Sequence, residues 1–224
     1  MIGAVLAGGR STRLGRDKTR LRLPGDGRDM LARTADLLAA CTDEVLVSCR
    51  ADAVPPGLPY RAVPDFEEGL GPFGGVWSLL RAVREPVLVL SCDLPFMDAA
   101  TLRRLVKTRD ARPADALMTT YQQAETGYIE ALTAIYEPAC LPFFEAARAQ
   151  GIRQINLVVP EARQARIVYT RGEARPFFNI NFPADLERAL SLAAGPQATS
   201  PADFPENPPV PPRADKGQPA TDRR

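Results

Sequence analysis

The segment Pro86–Ser91, which reads Pro-Val-Leu-Val-Leu-Ser, constrains the fold more than any other part of the chain. Its residues are almost continuously apolar and do not alternate with polar ones. A strand with one face in water alternates, whereas a strand that is covered on both faces does not. The segment therefore predicts a central strand of a parallel sheet with helices packed against both of its faces.

Strand-like and helix-like segments alternate on either side of this strand. Ile2–Leu6 and Glu44–Cys49 are apolar runs of strand length, and Met30–Ala40 between them has apolar residues at helical spacing. The order predicts a single three-layer α/β domain over residues 1–194, with a mostly parallel, mixed sheet. Further strands are predicted at Tyr60–Val63, Ala116–Thr120, Ile129–Tyr136 and Arg166–Thr170, and further helices at Gly74–Arg84, from Asp98 as the cap to Arg109, at Pro138–Gln150 and at Ala184–Ala193.

The composition changes abruptly near Gly195. The segment from Gly195 to Arg224 is rich in proline, alanine and polar residues. Its apolar residues are too sparse to offset the entropy lost on ordering, so we expect a disordered, proline-rich tail. A proline-rich ligand for a partner protein is the alternative interpretation.

The chain contains no histidine, which limits the chemistry open to it. Catalysis must rest on carboxylates, lysine, arginine, backbone amides or a metal held by oxygen. The net charge of +1 gives no electrostatic case for nucleic acid or a membrane surface. No C-x-x-C pair, signal sequence or apolar stretch near the ~20 residues of a membrane span is found, so we expect reduced thiols and a cytoplasmic protein.

The loop after the first predicted strand combines glycines with basic residues. Gly8 and Gly9 allow a tight bend and a close approach to a ligand, and consecutive amides of such a loop can bind phosphate oxygens. The pattern is neither a Walker A motif nor G-x-G-x-x-G. It predicts a polyphosphate site, and the alternative is a glycine turn with solvated basic residues. The charged residues are Arg10, Arg13, Arg16 and Lys18, and the hydroxyls are those of Ser11 and Thr12.

Asp93 follows the apolar central strand, two residues after Ser91. A carboxylate at that position avoids a large desolvation cost by capping backbone amides or by binding a hard cation. Asp98 is better placed to cap the next helix, which leaves Asp93 free. Because Mg²⁺ prefers one or two carboxylates together with substrate phosphates, Asp93 is the candidate Mg²⁺ ligand. Turn formation before Pro95 is the alternative role, and the neighbouring Cys92 is expected to be a packing residue.

The glycine-rich loop resembles the N-terminal signature of nucleotidyltransferases of the molybdenum cofactor guanylyltransferase type. That signature reads Leu-Ala-Gly-Gly-x-Ser-x-Arg-(Met/Leu)-Gly-x-Asp-Lys and matches without gaps from Leu6 to Lys18, with Leu14 in place of the commoner Met. Sugar-phosphate and isoprenoid nucleotidyltransferases carry a looser version. The resemblance implies a Rossmann-like fold of the nucleotide-diphospho-sugar transferase type.

Later segments extend the resemblance to about Leu190. Asp65 could accept hydrogen bonds from a guanine edge or from ribose hydroxyls, and an ordinary βα loop is the alternative interpretation. Together with the turn from Gly71 to Gly75, it is similar to a family segment whose Asp contacts the guanine nucleotide. Relatives often have an Asn after the second strand, whereas this chain reads Val-Ser-Cys-Arg over residues 47–50. Base or ribose recognition at that strand end is therefore left open.

Three C-terminal segments resemble the part of the family that lies near the pterin. They are 130–136, with Ala131 where the family has Pro, then 151–153, and 178–186, with Phe182 where Thr is usual. Turn formation before the last helix is the alternative role for the two asparagines. The acceptor-binding residues that the resemblance implies are Arg153, Asn179 and Asn181.

The family resemblance implies transfer of GMP from GTP to the phosphate of molybdenum-bound molybdopterin, with release of pyrophosphate and formation of the guanine dinucleotide cofactor. The implied cofactor is Mg²⁺, with Asp93 as its ligand, and the implied recipients of the product are molybdenum or tungsten oxidoreductases and their chaperones. We expect a monomer. The implied catalytic residues are Lys18, Arg13 and Asp93, and the implied nucleotide-binding residues are Leu6, Ala7, Gly8, Gly9, Lys18, Asp65 and Asp93.

Three other functions stay open at this point. The chain could be a molybdopterin cytidylyltransferase, or a guanylyltransferase for another phosphorylated cofactor precursor. It could also be a GTP-binding carrier or regulator without turnover. The presence of both Lys18 and Asp93 favours an enzyme, because binding alone needs fewer charged groups.

Overall fold

A seven-stranded sheet organises the residues that the computed structural model describes, which are 1–9, 11, 13–54 and 59–194. Arg10 and Thr12 of the glycine-rich loop, and the tail predicted from Gly195 onward, lie outside the described residues. The strands stand in the order β3-β2-β1-β4-β6-β5-β7. They are β1 (Ile2–Leu6), β2 (Glu44–Cys49), β3 (Arg61–Pro64), β4 (Val87–Ser91), β5 (Met118–Gln123), β6 (Ile129–Tyr136) and β7 (Gln164–Tyr169).

Strand β6 is the antiparallel member of an otherwise parallel sheet. It runs antiparallel to β4 and β5, while every other neighbouring pair is parallel. A connection of only a few residues joins β5 to β6, and its Gly127 has a φ of +70°. So short a turn can join only antiparallel strands. The mostly parallel, mixed sheet predicted from the sequence is therefore confirmed.

Helices cover both faces of the sheet. Leu88 and Leu90 of β4 belong to the apolar cluster on one face, and Val87 and Val89 belong to the cluster on the other. All five residues of β4 are buried, which confirms the prediction that this strand is covered on both sides. One face carries α1 (Met30–Ala39), α3 (Ala99–Asp110) and α5 (Pro183–Ala194), and the other carries α2 (Pro72–Ala82) and α4 (Leu141–Ala149).

Local sequence signals account for the helix starts. Asp98 Oδ1 accepts a hydrogen bond from Thr101 N at 2.7 Å, so the predicted cap of α3 is confirmed. The predicted helix from Pro138 is divided into a 3₁₀ turn at Pro138–Cys140 and α4. Pro142 accounts for the break, because proline cannot donate to the preceding turn. No helix in the described ranges is long and apolar enough to cross a membrane.

Candidate functional site

The carboxyl ends of four neighbouring parallel strands, β3, β2, β1 and β4, meet at one edge of the sheet. Leu6 is in register with Ser48 on one side and with Ser91 on the other, so the loops that follow are held side by side. They enclose a cavity of about 480 Å³, within the size range of small-molecule sites. All of the nucleotide-binding residues predicted from the sequence line it: Leu6, Ala7, Gly8, Gly9, Lys18, Asp65 and Asp93.

An ion pair joins the glycine-rich loop to the loop after β4. Lys18 Nζ lies 3.2 Å from Asp93 Oδ2, and the two side chains are only 15% and 17% exposed. Ser91 Oγ donates a hydrogen bond of 2.6 Å to the other carboxylate oxygen of Asp93. A fixed cation and a fixed carboxylate therefore stand side by side at the wall of the cavity. Such a pair can neutralise phosphate charge on one side and hold a cation on the other.

Ser11 holds the glycine-rich loop in an unusual conformation. Its φ is +47°, in the left-handed region that residues other than glycine seldom adopt. Its hydroxyl accepts a hydrogen bond from Lys18 N at 3.3 Å, and its carbonyl accepts from Leu14 N and Gly15 N. These bonds close the loop on itself and bring Lys18 back toward the end of β1. Strained backbone of this kind concentrates at ligand-binding loops.

Asp65 lines the cavity, and one of its carboxylate oxygens is unpaired. Its Oδ1 atom is buried and has no hydrogen-bond partner within the described part of the chain. Burial is the main cause that raises the pKa of Asp65 above its ordinary value. A buried acceptor without a donor is costly in the free protein, so its presence points to a ligand that supplies the donor.

Two glycines let α2 approach the cavity. Gly71 precedes the helix with a φ of +60°, and a Cβ added at Gly75 would lie 2.9 Å from Ser48 Oγ. Both line the cavity together with Pro72, the first residue of the helix. The helix therefore begins against the cavity, two residues earlier than the predicted Gly74, and its positive N-terminal end lies beside the space for an anion.

Several residues that line the cavity were missed by the sequence reasoning. Arg50 follows β2, and its Nε donates to Asp52 Oδ1 at 2.8 Å. Glu68 lies between β3 and α2. Both follow strand carboxyl ends, which was the signal available, but their residue types fit no motif. The others are Thr19, Ser48, Gly69, Ser91 and Leu132.

The three predicted acceptor residues have different hydrogen-bond partners. Arg153 is exposed and donates to Gly69 O at 3.3 Å, and Asn179 donates to Phe177 O at the same distance. Asn181 instead accepts a hydrogen bond of 2.8 Å from Lys18 Nζ. Arg153 and Asn181 thus each contact a residue that lines the cavity, Gly69 and Lys18 respectively. The acceptor roles stay predictions.

Arg13 and Cys92 are the remaining residues singled out from the sequence. Arg13 is exposed, and its guanidinium lies 5.8 Å from the centroid of the Phe182 ring. Its predicted catalytic role stays a prediction. Cys92 is buried, and burial raises its pKa to about 12. The Cys92 thiol is therefore protonated at neutral pH, in agreement with a packing role.

Asp93 can hold Mg²⁺ if a bound polyphosphate supplies further oxygen ligands. No group of three or more His, Cys, Asp or Glu side chains that could hold a metal ion occurs among the residues described. Asp93 offers one carboxylate at the cavity wall. Mg²⁺ keeps several waters and is bound in proteins through one or two carboxylates plus substrate phosphates. The site therefore fits Mg²⁺ that arrives with a polyphosphate.

Sequence and structure comparisons agree on the family. The model of the MobA-like NTP transferase domain matches residues 3–165. The probable molybdenum cofactor guanylyltransferase of Chloroflexus aggregans is 35% identical over 198 residues, covering 84% of this chain and 92% of the relative. The protein of the same name from Natronomonas pharaonis is 30% identical over 200 residues, covering 84% and 95%. The crystal structure of molybdopterin-guanine dinucleotide biosynthesis protein A from Archaeoglobus fulgidus matches with a TM-score of 0.70 and 26% identity, covering 87% of this chain and 99% of that chain. The chain therefore belongs to the MobA-like NTP transferase family.

Proposed function

We propose that this chain transfers GMP from GTP to the phosphate of molybdenum-bound molybdopterin. The products are pyrophosphate and the guanine dinucleotide cofactor. The observation that carries the proposal is that one cavity gathers the glycine-rich loop, Lys18, Asp93 and Asp65. Relatives named molybdenum cofactor guanylyltransferase that match over most of this chain support the choice of substrates.

The proposed reaction needs no general base. An oxygen of the acceptor phosphate attacks the α-phosphorus of GTP in line, and the bond from that phosphorus to the pyrophosphate oxygen breaks. Because the attacking oxygen is already anionic, no proton has to be removed, which agrees with a chain that contains no histidine. Catalysis then consists of holding the two phosphates together and neutralising their charge.

The residues of the cavity have different proposed roles in holding the phosphates and neutralising their charge. Backbone amides of Leu6–Gly9 would bind phosphate oxygens, and Lys18 would neutralise the triphosphate. Arg13 is proposed to add positive charge at the mouth of the site. Asp93 would hold Mg²⁺, which supplies further neutralisation of the triphosphate when bound. The low exposure of Lys18 and Asp93 strengthens their electrostatic effect, because less water screens them.

Asp65 is proposed to accept hydrogen bonds from the N1–H and 2-amino groups of guanine. Changing Asp65 to Asn should weaken GTP binding about tenfold, because an amide offers fewer acceptors and adds a donor. Titration calorimetry with GTP, ITP and 2′-deoxy-GTP measures the change. ITP lacks the 2-amino group and should lose less affinity than GTP. A loss that disappears with 2′-deoxy-GTP would show that Asp65 binds the ribose instead.

The same substitution should stabilise the protein without ligand. Burial raises the pKa of Asp65, so the ionised carboxylate disfavours the folded state at neutral pH. The Asp65→Asn variant should therefore melt at a higher temperature at pH 7. The difference should shrink as the pH falls through the raised pKa, because the wild-type carboxyl is then neutral too. An Asp65→Asn variant that melts lower at pH 7 would contradict this description of the site.

We also propose that the protein works as a monomer in the cytoplasm and passes its product to molybdenum or tungsten oxidoreductases and their chaperones. All four cysteines are free, and three of them are buried, which suits a reducing compartment. Light scattering coupled to size-exclusion chromatography would test the oligomeric state, and a mass of one chain is expected.

A further inference from the structure

Lys18 has a second partner that comes from the far end of the chain. Its Nζ atom donates to Asp93 Oδ2 at 3.2 Å and to Asn181 Oδ1 at 2.8 Å. An ammonium group has three N–H donors, so these two contacts leave one for a ligand. The bond to Asn181 is the shorter of the two. The direction of the third N–H is therefore fixed by Asn181 as much as by Asp93.

The two partners of Lys18 differ in charge, and they therefore act differently on the lysine when a polyphosphate binds. Asp93 is an anion that repels phosphate and that would also be drawn to Mg²⁺. Asn181 is a neutral acceptor, which holds the Lys18 ammonium without cancelling its charge. The amide can therefore keep Lys18 in place while its charge acts on the phosphates, whereas the carboxylate competes for it.

The chain holds Asn181 firmly on both sides. The preceding residue, Ile180, is buried, and its backbone N–H donates to Asp93 O at 3.0 Å. On the other side, Asp185 Oδ2 accepts hydrogen bonds from Asn181 N at 2.9 Å and from Phe182 N at 2.8 Å. Asp185 thereby fixes the bend that precedes α5 and sets the position of the Asn181 amide.

We propose that Asn181 is a positioning residue of the nucleotide site, which acts through Lys18, and that Asp185 in turn positions Asn181. This inference rests on the proposed function, because it takes Lys18 to bind the triphosphate. It differs from the acceptor role that the family resemblance implies for Asn181. An acceptor residue affects binding of the pterin substrate, whereas a residue that orients Lys18 affects GTP binding when no acceptor is present.

GTP binding to the full chain, measured by titration calorimetry with Mg²⁺ and without acceptor, separates these two roles. Asn181→Leu should weaken GTP binding about tenfold, because it removes one hydrogen bond to a charged group. Asn156→Leu, on a 3₁₀ turn that does not line the cavity, is the matched control and should bind GTP as the wild type does. Unchanged GTP affinity in Asn181→Leu overturns the inference.

A double-mutant cycle with Lys18 tests whether Asn181 acts through the lysine. In a Lys18→Ala background, Asn181→Leu should change GTP affinity by less than about twofold. A loss that stays near tenfold in that background would mean that Asn181 contacts the nucleotide directly, and the inference would be wrong. Normal GTP binding by Lys18→Ala itself would overturn the proposed role of Lys18 and the inference with it.

Asp185 is tested by comparing two substitutions. Asp185→Asn keeps an oxygen that can accept both backbone N–H groups, so GTP affinity should stay close to that of the wild type. Asp185→Leu removes the acceptor and should lose about as much GTP affinity as Asn181→Leu, roughly tenfold, with no further loss when the two are combined. Equal losses in Asp185→Asn and Asp185→Leu would overturn the role of Asp185, and melting curves would show that each variant is folded.

Discussion

Changing Asp93 to Asn is expected to reduce the turnover of GTP about 10²- to 10³-fold, by analogy with the loss of a single preorganised oxyanion-hole donor. The amide has nearly the size of the carboxylate and can still accept the hydrogen bond from Ser91 Oγ, so the loop should keep its shape. It lacks the negative charge that a Mg²⁺ ion needs and that pairs with Lys18. Pyrophosphate release with saturating GTP and molybdopterin is the measurement.

Asp98 supplies the control for this substitution. It lies five residues further along the same loop, but its carboxylate caps α3 and does not line the nucleotide cavity. Asp98→Ala should lower the free energy of unfolding by about 1 kcal/mol, the typical cost of a lost helix cap, and leave turnover unchanged. An Asp93→Asn variant that retains near-full turnover would show that the carboxylate has no role in the reaction.

Changing Lys18 to Ala is expected to reduce turnover by a similar factor, about 10²- to 10³-fold. The ammonium is fixed by Asp93 and Asn181 at a wall of the cavity that water reaches poorly, so its charge acts on the phosphates with little screening. The charge to be neutralised grows as pyrophosphate leaves, so kcat should fall more than KM rises. Steady-state kinetics with GTP varied at saturating molybdopterin separates the two parameters.

The chain offers a close control for the lysine. Lys107 is the other lysine among the described residues, and it is exposed on α3. Lys107→Ala should leave kcat and KM within about a factor of two of the wild type, as expected for a surface substitution away from the site. If Lys18→Ala raised KM alone and kept kcat, Lys18 would serve ground-state binding only, and its proposed part in the transition state would be wrong.

Much of the fold could be predicted from local sequence. The apolar run Val87–Leu90 of β4 carries its own signal, because a strand that is buried on both faces has few polar positions. The place of β6 between β4 and β5 carries no such signal. A continuous apolar run shows that a strand is covered on both faces, but strand order depends on pairings between residues far apart in the chain. The position of β7 at the edge beside β5 could not be predicted for the same reason.

The nucleotide side of the site was predictable because of a simple geometric rule. Parallel neighbours place their carboxyl ends together, so loops that follow β1, β3 and β4 had to meet. The bond from Lys18 to Asn181 joins residues 163 positions apart and could not be seen in the sequence. Neither could the contact of Arg13 with the Phe182 ring, because Phe182 stands where the family usually has Thr. Where the sequence departs from the family motif, as at Phe182, the side chain makes contacts that the motif does not predict.

The central claim is that this cavity catalyses GMP transfer to molybdopterin. The most direct test is pyrophosphate release by the full chain with Mg²⁺ and molybdopterin, with GTP, CTP, ATP and UTP offered separately. Release with GTP, and none above background with the other three, is the predicted result. Release with CTP in place of GTP would make the chain a cytidylyltransferase. No release with any nucleotide, from folded protein that still binds GTP, would contradict the claim and favour a different acceptor or a nucleotide carrier.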